Sequence, residues 1–162
     1  IRGGEPCIQA DLADLIKKLK KLGYKIKLDT NGTHPEMLKS FFAEKLVDFV
    51  AMDIKGAIEN YQKVVNAPVN KKAIIRSIKL IMQKAPKYEF RSTVLPYLHN
   101  EKEIRAMGQM IKGAKVWMLQ NFKPSSKLLQ PEFENYPAFT GKELKTFQAI
   151  GKEYVSKCEI RD

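Results

Sequence analysis

Apolar side chains recur every three to four residues along several stretches of the chain, with lysines between them, as in helices that bury one face. The first such stretch predicts a helix from Cys7 to Leu22, which Gly23 ends. Residues able to cap a helix precede the other stretches, and they are Thr33, Asn70, Asn100 and Thr140. The helix that Asn70 begins has the apolar stripe Ile74, Ile78, Ile81 and Met82, and the other three extend to about Lys45, to about Lys112 and to Val155.

Short apolar runs lie between these helices and are predicted strands: Tyr24–Leu28, Leu46–Ile54, Tyr88–Leu95, Ala114–Phe122 and Lys157–Ile160. The second is interrupted only by Asp48 and Asp53, as in a strand buried on both faces. Strict alternation of strand and helix predicts an α/β fold, a parallel sheet with outer helices, in one domain over residues 1–162. An open doubly wound sheet and a barrel or partial barrel both fit, and both bind ligands at the carboxyl ends of the strands.

The chain begins inside a loop, Gly3-Gly4-Glu5-Pro6, of the kind that joins a strand to a helix. Two glycines allow an unusual backbone turn and a close approach by another molecule. Pro6 biases Glu5 toward an extended conformation. We therefore expect a fragment of a longer protein, with the first strand of the sheet missing.

The composition adds a strong positive charge, since 29 Lys and Arg stand against 18 Asp and Glu for a net charge of +11. The lysines fall on polar helix faces without interleaved aromatic residues, so we expect a solvated surface rather than a nucleic-acid interface. No run of 18 apolar residues occurs, and we expect no membrane span. Two distant cysteines, Cys7 and Cys158, share no metal-ligand spacing and favour a reducing compartment such as the cytoplasm.

Polar residues stand where the predicted strands end: Asp29, Thr30 and Asn31, then Asp53 and Lys55, then Arg91 and Thr93, then Gln120. Each has a plainer interpretation, for example a simple turn at Asn31 or an ion pair between Asp53 and Lys55. Together on one rim of a parallel sheet they suit a zwitterionic, hydroxyl-bearing small molecule. Carboxylates and main-chain oxygens would accept hydrogen bonds from its ammonium, and the cations would hold its carboxylate.

Four other features are expected to be structural or solvated. His34 and His99 have no second ligand nearby in sequence and are predicted to be solvated loop residues. Trp117 lies in an apolar strand and is predicted to be core. The segment Lys123-Pro124-Ser125-Ser126 could touch a phosphate, but no glycine-rich loop or helix start accompanies it.

The motifs resemble those of a known family. Gly3-Gly4-Glu5-Pro6 resembles the Gly-Gly-Glu-Pro motif of radical S-adenosylmethionine (radical SAM) enzymes. Four segments follow it at family-like distances: Leu28–Gly32, Val50–Lys55, Phe90–Pro96 and Leu119–Pro124. The series covers residues 1 to about 131 and is similar to the glycyl-radical activating enzymes. The likeness is greatest to the activating proteins of anaerobic ribonucleoside-triphosphate reductases, with pyruvate formate-lyase activating enzymes as near relatives.

The resemblance implies a partial (β/α)6 TIM-like barrel that binds S-adenosylmethionine and a [4Fe-4S] cluster. In that family a 5′-deoxyadenosyl radical takes a hydrogen atom from a glycine of a partner glycyl-radical enzyme, with electrons from a donor protein. By position, Gly3, Gly4, Glu5 and Pro6 would meet the methionyl ammonium. The resemblance places Asp29 and Thr30 near the methionine carboxylate, and Asn31 is a further cofactor-binding candidate. It places Asp53, Lys55 and Arg91 at the methionyl end and ribose, and Thr93 and Gln120 on the adenosine side.

One departure from the family is decisive for the expected activity. The cysteine triplet Cys-x-x-x-Cys-x-x-Cys, which holds the cluster, does not occur in this chain. We therefore expect the chain to be catalytically inactive as given. We also expect the strand that begins at Tyr24 to be an exposed edge that promotes self-association or is covered by another segment. A radical SAM enzyme acting on RNA and a binding-only α/β nucleotide domain stay open as alternatives.

Overall fold

The computed structural model describes residues 1–122 and 137–161 and confirms the α/β class. After a 3₁₀ turn at Pro6–Ile8, the helices are α1 Leu12–Lys21, α2 Pro35–Ala43, α3 Tyr61–Val65, α4 Lys71–Lys84, α5 Glu101–Met110 and α6 Gly141–Lys152. The strands are β1 Lys27–Thr30, β2 Phe49–Asp53, β3 Tyr88–Val94, β4 Val116–Asn121 and β5 Lys157–Arg161. Their order in the sheet is β1-β2-β3-β4-β5, and β1 with β2 and β4 with β5 are parallel pairs.

Three of the four predicted helix caps are confirmed by side-chain hydrogen bonds. Asn70 Oδ1 accepts from Ala73 N at 3.1 Å, and Asn100 Oδ1 accepts from Glu103 N at 3.0 Å. Thr140 and Glu143 form a reciprocal capping box at the start of α6. The fourth prediction is wrong, because His34 occupies the cap position of α2 and Thr33 instead donates its hydroxyl to Asn31.

Two predicted boundaries near the N-terminus are also wrong. The first helix begins at Leu12 rather than Cys7, since Glu5 and Pro6 turn the chain into a separate 3₁₀ turn. The first strand begins at Lys27 rather than Tyr24. The amide of Tyr24 is held by Leu19 O at the end of α1, at 3.1 Å. The amide of Ile26 donates to the side chain of Asp48, at 2.7 Å to Oδ2, and therefore takes no part in the backbone hydrogen bonds of the sheet.

The described residues fall into two compact units. The first contains Ile1–Ile54 and Ala67–Phe90, and the second contains Lys55–Asn66 and the described residues of 91–122 and 137–161. The expectation of one domain over 1–162 stays a prediction. None of the helices in residues 1–122 and 137–161 is both long and apolar enough to cross a membrane.

In the first unit α1, α2 and α4 supply an apolar core with β1 and β2. The predicted burial of β2 on both faces is confirmed, because Val50, Ala51 and Met52 are all fully buried. The face of the sheet that carries Lys27 of β1 and Phe49 of β2 also bears charged side chains. Lys27 Nζ lies 4.9 Å from the ring centre of Phe49 and 3.5 Å from Glu89 Oε1. Asp29 stands two residues after Lys27 in β1 and therefore belongs to the same face.

In the second unit α5 and α6 pack with β4 and β5. Trp117 is fully buried, as predicted, and its indole Nε1 donates to Ser92 Oγ at 2.9 Å. Two glycines allow the close packing of α5 and α6 with their neighbours. A Cβ at Gly108 would lie 2.6 Å from the ring of Tyr154, and one at Gly151 would lie 2.4 Å from Cys158 Sγ.

The edge of β1 is occupied at one point by the chain's own first residue. Ile1 N donates to Lys27 O at 2.6 Å, and Asp29 N donates to Ile1 O at 3.0 Å. These two bonds are the pattern that one residue makes in a parallel ladder. Self-association through this edge stays a prediction.

Candidate functional site

The loop Gly3–Pro6 is tied to the carboxyl end of β1 by the side chain of Glu5. Its Oε2 accepts from Asn31 N at 2.6 Å, and its Oε1 accepts from Thr30 Oγ1 at 2.9 Å and from Cys7 N at 3.0 Å. A carboxylate has about four acceptor positions, so three of them are used within the chain. The Glu5 side chain therefore holds the loop in place, and contact with an ammonium falls to main-chain oxygens.

The glycines of this loop leave its backbone uncovered. Gly3 adopts φ of +135°, a conformation that other residues avoid. No heavy atom outside the neighbouring residues lies within 4 Å of a Cβ placed at Gly3 or Gly4. The peptide backbone is thus open to approach by another molecule. An open depression of about 390 Å³ borders the loop, and Ile8, Leu12 and Leu15 complete its largely apolar lining.

Thr30 and Asp29 point to opposite faces of β1, although the sequence places them side by side. Thr30 is buried, and its hydroxyl makes two hydrogen bonds within the chain: it donates to Glu5 and accepts from Gly32 N at 3.1 Å. Asp29 is half-buried on the other face. Of this pair, Asp29 is the better candidate for contact with a ligand.

Asp53 joins Asp29 on that face. In the ladder Asp29 pairs with Ala51, and Asp53 follows Ala51 by two residues along β2. Residues two apart in a strand share a face, so the two carboxylates stand at the ends of neighbouring parallel strands on one side of the sheet. Both are half-buried. The first unit therefore contains the glycine loop, held at the end of β1, and two of the predicted carboxylates on one face of β1 and β2.

The Asn31-Gly32 turn is built mainly by local contacts. Asn31 Oδ1 accepts from the amide of Thr33 at 3.0 Å and from its hydroxyl at 2.7 Å. Gly32 has φ of +79°, and a Cβ there would lie 2.1 Å from Met52 Cε. Ser77 Oγ donates to Gly32 O at 2.7 Å. These contacts favour the plain-turn interpretation for Asn31.

In the second unit, the backbone of Lys55 is held by a buried histidine. His99 is 4% exposed, and its Nε2 lies 3.0 Å from Lys55 O. The prediction that His99 is a solvated loop residue is wrong. His34 is half-buried, with its Nδ1 2.8 Å from Thr33 Oγ1, so it is not a freely solvated residue either.

Glu103 is a further functional candidate that the sequence interpretation missed. It is 6% exposed, and its two oxygens accept from Ala57 N at 2.5 Å and from Asn60 Nδ2 at 2.8 Å. A signal existed in the sequence, because Glu103 precedes Met107 and Ile111 at intervals of four. A carboxylate on a buried helix face needs partners.

The remaining candidates of the second unit lie on β3 and β4. Arg91 is half-buried and Thr93 is exposed, and as alternate residues of β3 they share a face. Gln120 is exposed near the end of β4. Asn121 holds Phe139 through a pair of hydrogen bonds, at 2.8 Å to its carbonyl and 3.2 Å from its amide. The predicted loop segment Lys123–Ser126 lies outside the described residues.

The division of the candidates between the two units is as follows. The first unit carries Gly3, Gly4, Glu5, Pro6, Asp29, Thr30, Asn31 and Asp53, and the second carries Lys55, Arg91, Thr93 and Gln120. The convergence of all of them on one rim stays a prediction.

Both cysteines are buried and poorly suited to metal binding. Burial, followed by the nearby Glu5 carboxylate, raises the pKa of Cys7 to about 12. Burial also raises the pKa of Cys158 to about 12. The thiolate is the form that binds a metal, and these environments oppose it. Within residues 1–122 and 137–161 no cluster of three or more His, Cys, Asp or Glu could hold a metal ion. The two thiols of this sequence do not fit a three-cysteine iron–sulfur cluster.

A family match and two relatives in sequence agree on the family to which this chain is similar. Residues 1–111 match the family described as the radical SAM superfamily. The chain is 31% identical over 166 residues to the "Putative glycyl-radical enzyme activating enzyme MJ1227" of Methanocaldococcus jannaschii, an alignment covering 99% of this chain and 69% of that protein. A second protein of the same organism and description, MJ1632, is 30% identical over 117 residues, which are 70% of this chain and 44% of the relative.

Solved structures show the same fold. A domain of a pyruvate-formate lyase-activating enzyme from Bacteroides vulgatus superposes with a TM-score of 0.77 at 16% identity and covers 100% of this chain and 97% of that one. The structure of TYW1 with a lysine-pyruvate adduct bound has a TM-score of 0.66 at 14% identity and covers 96% and 49%.

Proposed function

Since the chain belongs to the radical SAM superfamily, with a glycyl-radical enzyme activating enzyme as its relative, we propose that its strand-end residues bind S-adenosylmethionine. In the first unit, the main-chain oxygens of Gly3 and Gly4 and the carboxylate of Asp53 accept from the methionyl ammonium. Asp29 lies near the methionine end. For the second unit taken by itself, Lys55 and Arg91 are the cations that suit the carboxylate and the ribose hydroxyls of such a ligand. Thr93 and Gln120 contact the adenosine.

The observation that carries this proposal is the placement of Asp29 and Asp53 on one face of β1 and β2. Two half-buried carboxylates on one face, at the ends of adjacent parallel strands, stand in the same unit as a glycine loop that Glu5 holds rigidly. An ammonium needs several acceptors in a fixed arrangement, and a pre-organised site provides them at low entropic cost. Asn31 and Thr30 act indirectly, by holding the loop and the turn.

In this family the radical chemistry comes from the cofactors, which would supply a 5′-deoxyadenosyl radical when bound. The residues of this chain bind and orient the S-adenosylmethionine. We propose that the partner is a glycyl-radical enzyme of the anaerobic ribonucleotide reductase type, served by an electron donor in the cytoplasm. The [4Fe-4S] cluster would need thiolates that these residues do not supply.

The experiment is a titration of the chain with S-adenosylmethionine, followed by calorimetry or by ligand NMR at millimolar concentration. Asp53→Asn is expected to weaken binding at least tenfold. Asp14→Asn, an exposed acidic change in α1, is the matched control and is expected to leave binding unchanged. Equal affinity of both variants would remove the assigned role of Asp53.

Titrations of the same chain with ATP and with RNA separate two competing functions. A preference for ATP over S-adenosylmethionine would favour a binding-only nucleotide domain. Binding of RNA with a steep dependence on salt concentration would favour a nucleic-acid substrate. Part of the positive charge is used within the chain, since Lys17 pairs with Glu44 at 2.7 Å and Lys20 with Asp48 at 2.9 Å.

A further inference from the structure

We infer that His99 is a positioning residue for Lys55, acting with Glu103 to fix the loop that follows β2. The inference rests on the proposed role of Lys55 in binding S-adenosylmethionine and extends it to residues that do not touch the ligand. All of the groups involved lie in the second unit.

Both main-chain polar groups of Lys55 are held by side chains. The carbonyl oxygen of Lys55 lies 3.0 Å from His99 Nε2, and its amide donates to the hydroxyl of Tyr61 at 3.3 Å. His99 and Tyr61 are both buried, at 4% and 2% exposure. Fixing the peptide on both sides restricts the origin of the Lys55 side chain, so its ammonium searches a smaller volume.

The protonation pattern of His99 follows from its neighbours. The amide of Leu95 donates to Nδ1 at 3.1 Å, so Nδ1 is an acceptor, and Nε2 carries the proton that is donated to Lys55 O. Leu95 O lies 3.3 Å from the same Nδ1. In a doubly protonated ring Nδ1 would be a donor, and it would bond to this oxygen and not to the Leu95 amide. The neutral ring therefore fits both of its shorter contacts at once.

Glu103 fixes the next part of the same loop. It accepts from Ala57 N and from the side chain of Asn60, while its own amide is capped by Asn100 at 3.0 Å. The backbone of Gly56 packs closely against the side chains of Glu103 and Val64. A Cβ at Gly56 would lie 3.2 Å from Glu103 Oε1 and 2.8 Å from Val64 Cγ2. Two independent side chains from one stretch, residues 99–103, thus hold residues 55–60.

The use of buried polar side chains here calls for an explanation. A loop between two elements is normally stabilised by its own turns, and burying an imidazole and a carboxylate for this purpose costs desolvation energy. Such cost is common where a side chain must be held within a fraction of an ångström. Lys55 is the proposed ligand-binding residue at the start of this loop, and side chains hold both its amide and its carbonyl.

The test compares two amide variants of His99 in titrations with S-adenosylmethionine. Glutamine can place an N–H at the former Nε2 position and donate to Lys55 O, whereas asparagine reaches only the Leu95 amide. His99→Gln is expected to bind within threefold of wild type. His99→Asn is expected to bind at least tenfold more weakly and to show faster hydrogen exchange at the amides of Lys55 and Ala57. Equal affinity of the two variants would overturn the inference.

A double-mutant cycle separates positioning from general stabilisation. Lys55→Met removes the ammonium, and if His99 acts through Lys55, the effect of His99→Asn on affinity should vanish in that background. A full additive loss in the double variant would show that His99 acts elsewhere. If the wild type does not bind S-adenosylmethionine at all, the proposed function fails and the inference fails with it. If the wild type binds and Lys55→Met has no effect, only the assignment to Lys55 fails.

Discussion

The strongest structural prediction concerns Glu5, whose carboxylate joins the glycine loop to β1. In Glu5→Gln one acceptor oxygen is replaced by an NH₂ group, while the three donors, Cys7 N, Thr30 Oγ1 and Asn31 N, are unchanged. The amide oxygen can serve only the donors on its own side. The NH₂ group then faces an N–H donor across a contact that is 2.6 Å long in the wild type, or the loop must move.

The magnitude follows from hydrogen-bond energetics. A hydrogen bond to a charged group contributes about 1.5–3 kcal/mol, and a buried donor left without a partner costs about 1–3 kcal/mol. Since Glu5 is only half-buried and water can replace part of the loss, we expect a decrease of about 3 kcal/mol in the free energy of unfolding. With a slope of about 2 kcal/mol per molar urea, the midpoint should fall by about 1.5 M.

The assay is urea denaturation followed by far-UV circular dichroism, with hydrogen exchange measured at the Asn31 and Cys7 amides. Glu44→Gln is the matched control, because it makes the same chemical change in an exposed ion pair with Lys17 and is expected to shift the midpoint far less. The reasoning is refuted if Glu5→Gln shifts the midpoint no more than the control and the Asn31 amide stays protected. Glu5 would then not be the group that holds this loop.

Three further predictions follow from the buried titratable groups. Because burial raises the pKa of Cys7 and of Cys158 to about 12, iodoacetamide at pH 8 should label neither thiol in the native state and both in urea; rapid native labelling would contradict this. Reconstitution with iron and sulfide should give no stoichiometric cluster absorbance, and an absorbance lost in Cys7→Ser would show the opposite. Burial lowers the pKa of His99 below its ordinary value of 6.5, so below that pH the unfolded chain takes up more protons than the folded one. The contribution of His99 to the free energy of unfolding should therefore be complete above pH 6.5 and be lost progressively as the pH falls through the folded pKa. If the free energy of unfolding depends on pH as steeply in His99→Gln as in the wild type, His99 is not the cause.

Much of the fold could be predicted from local patterns. The caps Asn70, Asn100 and Thr140 act within three residues of themselves, so their sequence context contains the whole interaction. The burial of Trp117 and of β2 followed from their apolar neighbours. The candidate list also followed from local information, because the carboxyl ends of parallel strands are where such folds place ligands.

The errors share a physical cause, which is competition from residues distant in sequence. Ile26 looks like part of a strand, but its amide is taken by Asp48, which lies 22 residues away. His99 looks like a loop histidine, but its partner Lys55 O lies 44 residues away. Thr30 and Asp29 look equivalent, yet burial on one face commits Thr30 to Glu5 and leaves Asp29 on the other.

The sequence by itself determined the class of fold, the family and the strand ends at which to look, because periodicity, caps and motifs are local and survive without coordinates. Only the tertiary structure decided which polar groups are already used within the chain. Glu5, Thr30, His99 and Glu103 each satisfy donors or acceptors that come from elsewhere in the chain, and an interior cannot leave such groups unpaired. A side chain's chemistry is written in its residue type, but its partners depend on which distant backbone groups folding brings within hydrogen-bonding distance.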